Sequence, residues 1–178
     1  MIICITGFPG AGKTEVAKAI TQNRYALYEL STGIFEMMQK AKIEKNPENI
    51  KRFATMLRRK YGNNIAARLL FRKIRVRGNQ KIVVSGIRSK AELDYVRRKA
   101  RTVTIAVVAP LKLRFYRIKK RGRASDPQTL SRFLRTRERE SKIWGIGGAI
   151  KDADYVISNT SSTAELRRNV KLVLSQIK

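Results

Sequence analysis

Eight residues near the N-terminus carry the densest chemistry in the sequence: Gly7-Phe8-Pro9-Gly10-Ala11-Gly12-Lys13-Thr14. Their spacing is G-x-x-x-x-G-K-T, the pattern of a phosphate-binding loop, or P-loop. Consecutive backbone N–H groups wrap a phosphate, and side chains larger than hydrogen would hold the main chain away from it. Gly7, Gly10 and Gly12 remove those obstacles and permit positive φ. Lys13 would reach the β- and γ-phosphates, and the Thr14 hydroxyl would ligate Mg²⁺. A helix opening at the lysine would aim its positive end at the same phosphates. The implied cofactors are ATP and Mg²⁺.

The elements that must position this loop are legible. Ile2–Thr6 is a short apolar run, the signature of a parallel strand buried on both faces. Val16, Ala17 and Ile20 then recur at helical spacing, giving a helix over 12–22. Further strands are expected at Ala26–Leu30, Lys81–Ser85, Thr102–Val108 and Asp154–Ser158. Helices are expected over 91–100, 111–120, 130–143 and 163–177. From Ile34 to Val76 the pattern is helical throughout, with breaks at Pro47 and Gly62. Five strands alternating with helices predict an α/β fold, a three-layer α/β/α sandwich around a five-stranded parallel sheet. Ligands of such sheets sit at the carboxyl ends of the strands. The segments to watch are therefore 7–14, 31–36, 85–90, 109–111 and 159–162.

The chain has 178 residues, enough for one domain with a sizeable core. No apolar stretch reaches the length of a membrane span. The first apolar run is a strand and not a signal peptide, and a cytoplasmic protein is expected. The one cysteine, Cys4, lies inside that strand, reads as a small buried hydrophobe and suits a reducing compartment. The 40 Lys and Arg against 13 Asp and Glu give a net charge of +27, so polyanions are the natural partners: nucleotides or RNA. A generally basic, solvated surface is the competing reading. There is no histidine, which leaves proton transfer to a carboxylate, Lys, Tyr or water.

Several segments resemble known nucleotide kinases. The P-loop, Ser31-Thr32-Gly33 and Ser85-Gly86-Ile87-Arg88 resemble adenylate kinase and its nucleoside-monophosphate kinase relatives. Ala153–Ser161 resembles the C-terminal segment of dephospho-coenzyme A kinase. The whole chain looks most like the small archaeal proteins described as adenylate-kinase-related or dephospho-CoA-kinase-like. This resemblance implies a P-loop NTPase core over 1–33 and 77–178, a helical acceptor-binding insertion over about 34–76 and a short lid over about 117–135. Ser31, Thr32, Gly33, Phe35, Met38, Gly86 and Arg88 would face the acceptor, with Arg88 holding its phosphate. Ser31 or Thr32 also reads as a helix cap, with Glu36 completing a capping box. The family's S-T-G-D-x-x-R segment has Ile34 and Met37 here at its Asp and Arg. Ser85 stands where the family has the Asp that orders water on Mg²⁺; with Thr14 it makes the candidate metal set.

The lid would be the arginine-dense stretch after Arg117. Arg121, Arg132 and Arg135, with Arg123, would close on the triphosphate beside Lys13 and Arg88, and Arg117 would hold ATP. A solvated or RNA-binding helix face is the competing reading, and Arg137 and Arg139 pair with Glu138 and Glu140 as surface ions. Asn159 and Thr160 would border the donor adenine; an ordinary turn, capped at Ser161, Ser162 or Thr163 with Glu165, is the other reading. A hydroxyl acceptor benefits from a carboxylate base, which this chain lacks just after its second strand. A phosphate acceptor needs arginines. The expected activity is therefore transfer of the ATP γ-phosphate to a nucleoside monophosphate. Dephospho-CoA-type hydroxyl phosphorylation and a nucleotide-switched RNA- or ribosome-associated ATPase stand as alternatives.

Overall fold

In the computed structural model, residues 1–74, 76, 80–122 and 126–177 are described, apart from the side chains of Arg137, Arg139, Glu140, Ile143 and Trp144. Arg123 of the expected lid and the ion-pair reading for Arg137 and Arg139 lie outside them.

Five strands form one parallel sheet: β1 Ile2–Thr6, β2 Ala26–Glu29, β3 Ile82–Ile87, β4 Thr102–Val108 and β5 Tyr155–Ser158. The order is β2-β3-β1-β4-β5, so the P-loop strand is central. Period-two alternation divides the core. Ile2, Cys4, Ile82 and Val84 pack toward one helical layer, and Ile3, Ile5, Val83 and Ile105 toward the other. The second layer holds α1 (Lys13–Thr21) and α9 (Thr163–Gln176), which contribute Val16, Ile20, Leu166 and Val170. The first holds α2 (Thr32–Lys40), α3 (Pro47–Tyr61), α4 (Ile65–Phe71), α5 (Lys90–Arg97) and α8 (Ile146–Lys151). The remaining helices, α6 (Leu111–Arg121) and α7 (Leu130–Trp144), join β4 to α8 and touch through Phe115 and Phe133, with ring centroids 5.5 Å apart.

Local chemistry sets the boundaries. Pro47 is the first residue of α3, where its missing N–H costs nothing, and the Asn46 side chain accepts from Asn49 N at 2.9 Å. Gly62, at φ 89°, ends that helix. β3 runs two residues beyond the expected Ser85 because Gly86 bulges: Ile5 pairs with Ser85, Thr6 with Ile87, and Gly86 takes φ 92°. The Thr6 hydroxyl donates to the Ile87 carbonyl at 3.0 Å and closes the irregularity. The helix α8 has no counterpart in the sequence reading. Its I-G-G-A-I-K sequence reads as loop, yet Ile146 and Ala149 bury against the sheet layer and supply what propensity withholds.

A buried ion pair ties α3 to α5. Arg58 donates to Glu92 at 2.9 Å, with side-chain exposures of 6% and 0%. Ser89 caps α5, accepting from Glu92 N at 3.1 Å, and Glu92 Oε2 reaches back past the cap to accept from Arg88 N at 2.7 Å. Burial pushes the Glu92 carboxyl above its ordinary range, opposed chiefly by the charge of Arg58.

Candidate nucleotide-binding site

The loop between β1 and α1 lies at the carboxyl edge of the sheet. Gly7, Gly10 and Gly12 take φ values of 143°, 79° and 100°. Each also sits against a neighbour. A Cβ on Gly7 would stand 2.3 Å from the Val107 carbonyl oxygen, one on Gly10 2.5 Å from that of Arg114, and one on Gly12 2.0 Å from Asn159 Nδ2. Glycine is required by conformation at all three, and by contact with fixed backbone at Gly7 and Gly10; at Gly12 the neighbour is a side-chain amide. Lys13 folds back over the loop: Nζ donates to the Gly7 carbonyl at 2.7 Å and to the Phe8 carbonyl at 3.2 Å. Its ammonium thus stands at the mouth of the cradle. Ala11 is buried and Thr14 is exposed in the first turn of α1.

Asn159 locks this loop from β5. Its Nδ2 donates to the Ala11 carbonyl at 2.9 Å, and its own N–H donates to Val108 at 2.8 Å. Arg117 of α6 donates to both oxygens of the same residue, to the backbone carbonyl at 3.0 Å and to Oδ1 at 3.2 Å. Arg117 and Asn159, read from sequence as ATP contacts, are therefore joined to each other and to the P-loop backbone. The amide expected to border adenine is turned to Ala11. Thr160 beside it is exposed, and Ser162 caps α9 by accepting from Glu165 N at 3.2 Å. The sequence reading missed Arg114, one turn before Arg117 on the same helix face. It is 5% exposed, donates to the Ala109 carbonyl at 3.1 Å, and lies between the rings of Phe8 and Phe133 at 5.1 and 5.5 Å. The i, i+3 arginine spacing was the signal for it.

The acceptor set is only partly brought together. Arg88 is exposed just beyond β3, with its backbone N–H held by Glu92. Ser85 is 3% exposed at the strand end, and its carbonyl accepts from Leu30 N at 2.9 Å. Two acceptor expectations are corrected. Met38 is 1% exposed in the core with Ile34, Leu57 and Leu70, because it falls on the inward face of α2. Gly33 is buried because α2 and α4 approach closely there: a Cβ would lie 2.6 Å from Leu69 Cβ. Phe35 is half-buried, with Lys45 Nζ 4.0 Å from its ring centroid. Ser31 precedes α2 but makes no side-chain cap bond, and Glu36 pairs with Lys73 instead of closing a capping box. Glu29, at the end of β2, brings a carboxylate to the same edge. Its Oε2 lies 3.6 Å from where a Cβ on Gly86 would stand.

Of the lid arginines, Arg121 makes a two-pronged bond to the buried Asp126: Nε to Oδ2 at 2.8 Å and Nη2 to Oδ1 at 2.5 Å. That pairing raises its pKa further. Arg132 and Arg135 are exposed on α7. Among the described residues no cluster of three His, Cys, Asp or Glu could cage a metal, and no helix is long and apolar enough to cross a membrane.

A family profile described as an AAA domain matches residues 3–154. A UPF0200 protein of Pyrococcus horikoshii, PH1008, is 36% identical over 99% of this chain and 97% of its own length. The chain belongs to the UPF0200 family. Another UPF0200 protein, from Hyperthermus butylicus, is 32% identical over 99% of this chain and 95% of its own length. Two solved structures share the fold of this UPF0200 chain. TT1252 from Thermus thermophilus covers 100% of it, and 98% of TT1252 is covered, with TM-score 0.65 and 22% identity. A shikimate kinase from Acinetobacter baumannii in complex with shikimate covers 99%, with 94% of it covered, TM-score 0.60 and 16% identity. Together these matches establish the family and the three-layer α/β/α fold built around a P-loop. The narrower kinship to adenylate kinase and dephospho-CoA kinase rests on the motifs alone.

Proposed function

We propose that this protein is an ATP-dependent phosphotransferase that moves the γ-phosphate to a nucleotide acceptor of the nucleoside-monophosphate class. The observation that carries the reading is the loop itself: three positive-φ glycines around backbone N–H groups, with the Lys13 ammonium at their mouth. A triphosphate entering the cradle would draw Nζ from the Gly7 and Phe8 carbonyls onto its β- and γ-oxygens. The Thr14 hydroxyl, with Ser85 and Glu29 near the strand ends, offers oxygen donors only. Such a set suits a hard cation that arrives with phosphates rather than one caged by protein. Bound Mg²⁺ would neutralise charge on the phosphates. Arg88 would take the acceptor phosphate, α2–α4 would form the acceptor side, and α6–α7 the lid. Lid guanidiniums that meet the transferred group only on closure would favour the transition state over the ground state.

Glu29 supports a second reading, phosphorylation of a hydroxyl. Its carboxylate, at the last residue of β2, would serve as the base that such chemistry benefits from. The deciding experiment follows ATP consumption with a panel of nucleoside monophosphates and with dephospho-CoA. Turnover with a monophosphate, lost on the order of a hundredfold or more in Lys13→Ala, is expected. Turnover with dephospho-CoA alone assigns the hydroxyl reading. Wild-type ATP affinity in Lys13→Ala overturns the site.

A further inference from the structure

We propose that the edge of the sheet opposite the P-loop is a binding surface for single-stranded RNA. Two clefts open there, of about 420 and 340 Å³, and they share Ile74. In the first, Arg68, Arg72 and Lys99 surround Phe71 and Tyr95. In the second, Arg24 and Lys81 flank Tyr28. No acidic residue is among the described residues lining either cleft, although the chain carries 13. The carboxylate of Glu36 is taken by Lys73, that of Asp152 by Lys90 and that of Asp154 by Arg97. The location is set by topology. Ala26 and Ile82, which line the second cleft, are the first residues of β2 and β3, whereas the P-loop follows the far end of β1. A five-residue strand separates the two edges by roughly 15 Å, so an occupant here does not compete for the phosphate cradle.

The lining chemistry selects the partner. Cations without interspersed acids match a run of phosphates and not a mixed protein surface. Phe71, Tyr95 and Tyr28 are part-buried against the core, and the ring surface they leave to the clefts between those cations matches bases, whose faces stack without regard to sequence. Phe71 and Tyr95 meet edge to face, 5.9 Å between centroids, and the charges of Arg98 and Lys99 lie 5.9 and 5.5 Å from the Tyr95 ring centroid. Lys81 lies 5.6 Å from the ring centroid of Tyr25. Single strands and loops are the forms in which RNA exposes its bases to such rings. One nucleotide pair at the P-loop leaves most of the +27 charge unused, and this edge gives part of it a ligand.

The test compares binding of a labelled single-stranded oligouridine to the wild type, to Arg72→Glu/Lys99→Glu, to Arg24→Glu/Lys81→Glu, and to a charge-matched control, Arg167→Glu/Arg168→Glu, on exposed α9 positions of the other layer. Affinity is measured by anisotropy across a salt series, beside ATP affinity and the thermal midpoint. Each cleft variant is expected to weaken RNA binding and lower the salt slope by about 1.4, since a single-strand phosphate contact contributes about 0.7. ATP affinity stays at the wild-type value, and the control keeps the wild-type slope. An equal loss in the control reduces the effect to net charge and overturns the proposal. Displacement of the RNA by ATP moves the RNA to the P-loop and does the same. Tighter binding of the matching single-stranded DNA assigns the surface to DNA and also overturns it.

Discussion

Replacing Gly12 by alanine tests whether the P-loop is held from outside. The new methyl would lie 2.0 Å from Asn159 Nδ2, so the amide must leave. Its departure breaks the bond to Ala11 at 2.9 Å and the Arg117 bond at 3.2 Å, and alanine is also forced to φ near 100°. A non-glycine residue in such a conformation costs about 1–3 kcal/mol. A buried polar group stripped of its partner adds about 1–3, and more for a charged one. Gly12→Ala should therefore lose about 2–6 kcal/mol, a large share of a domain's usual 5–15. Asn159→Ala alone loses the bonds but keeps the glycine, and should cost about 2–4 kcal/mol. The two changes remove the same contacts. In urea titrations of a double-mutant cycle the pair should therefore cost less than its parts, with a coupling of about 2 kcal/mol. ATP affinity should fall in both single variants, since the loop loses its brace. Additivity within about 0.5 kcal/mol would refute the lock and make Asn159 an ordinary turn residue.

Two further outcomes are expected. Arg132→Ala and Arg121→Ala should lower turnover on the order of a thousandfold while leaving ATP affinity nearly unchanged, if α6–α7 closes on the transferred phosphoryl group. Asp126→Asn, which loosens Arg121 without removing it, should not slow turnover; unchanged turnover in both arginine variants rejects the lid. Glu92→Ala strips Arg58 of its buried carboxylate and should destabilise by about 3–5 kcal/mol in chemical denaturation. The pH dependence follows from the raised carboxyl of Glu92. The native state keeps that proton to higher pH than the unfolded chain, so stability should fall as pH rises from near the ordinary value of 4.5 through the raised folded value, then level off. Glu92→Gln should lack this decline, and an identical pH profile would show that Glu92 does not titrate as described.

The strands and the P-loop were legible because their signals are local. Ile2–Thr6 is apolar throughout, the glycine-lysine spacing is contiguous, and Pro47 and Gly62 mark a helix start and end wherever they occur. What escaped was decided at a distance. Arg58 and Glu92 lie 34 positions apart, and Arg117 and Asn159 lie 42 apart; nothing in either neighbourhood names its partner. Met38 misled because a methionine in an amphipathic helix reads the same whether its face meets the core or a ligand. Gly33 misled because a glycine after a strand suggests a ligand loop, whereas here it lets α2 and α4 close on each other. The Ser89 cap on α5 was present in the sequence as S-x-x-E and was readable from that spacing alone.

Cys4 sits in the middle of the central strand, 0% exposed, between Val84 and Thr104 of the flanking strands. Burial pushes its thiol far above the ordinary value, so little thiolate forms and a modifying reagent finds no access while the sheet is closed. As the one cysteine in the chain, it makes the protein its own clock. Each thiol modified over time records one opening of the innermost strand, and the labelling rate reads how often the P-loop's foundation comes apart.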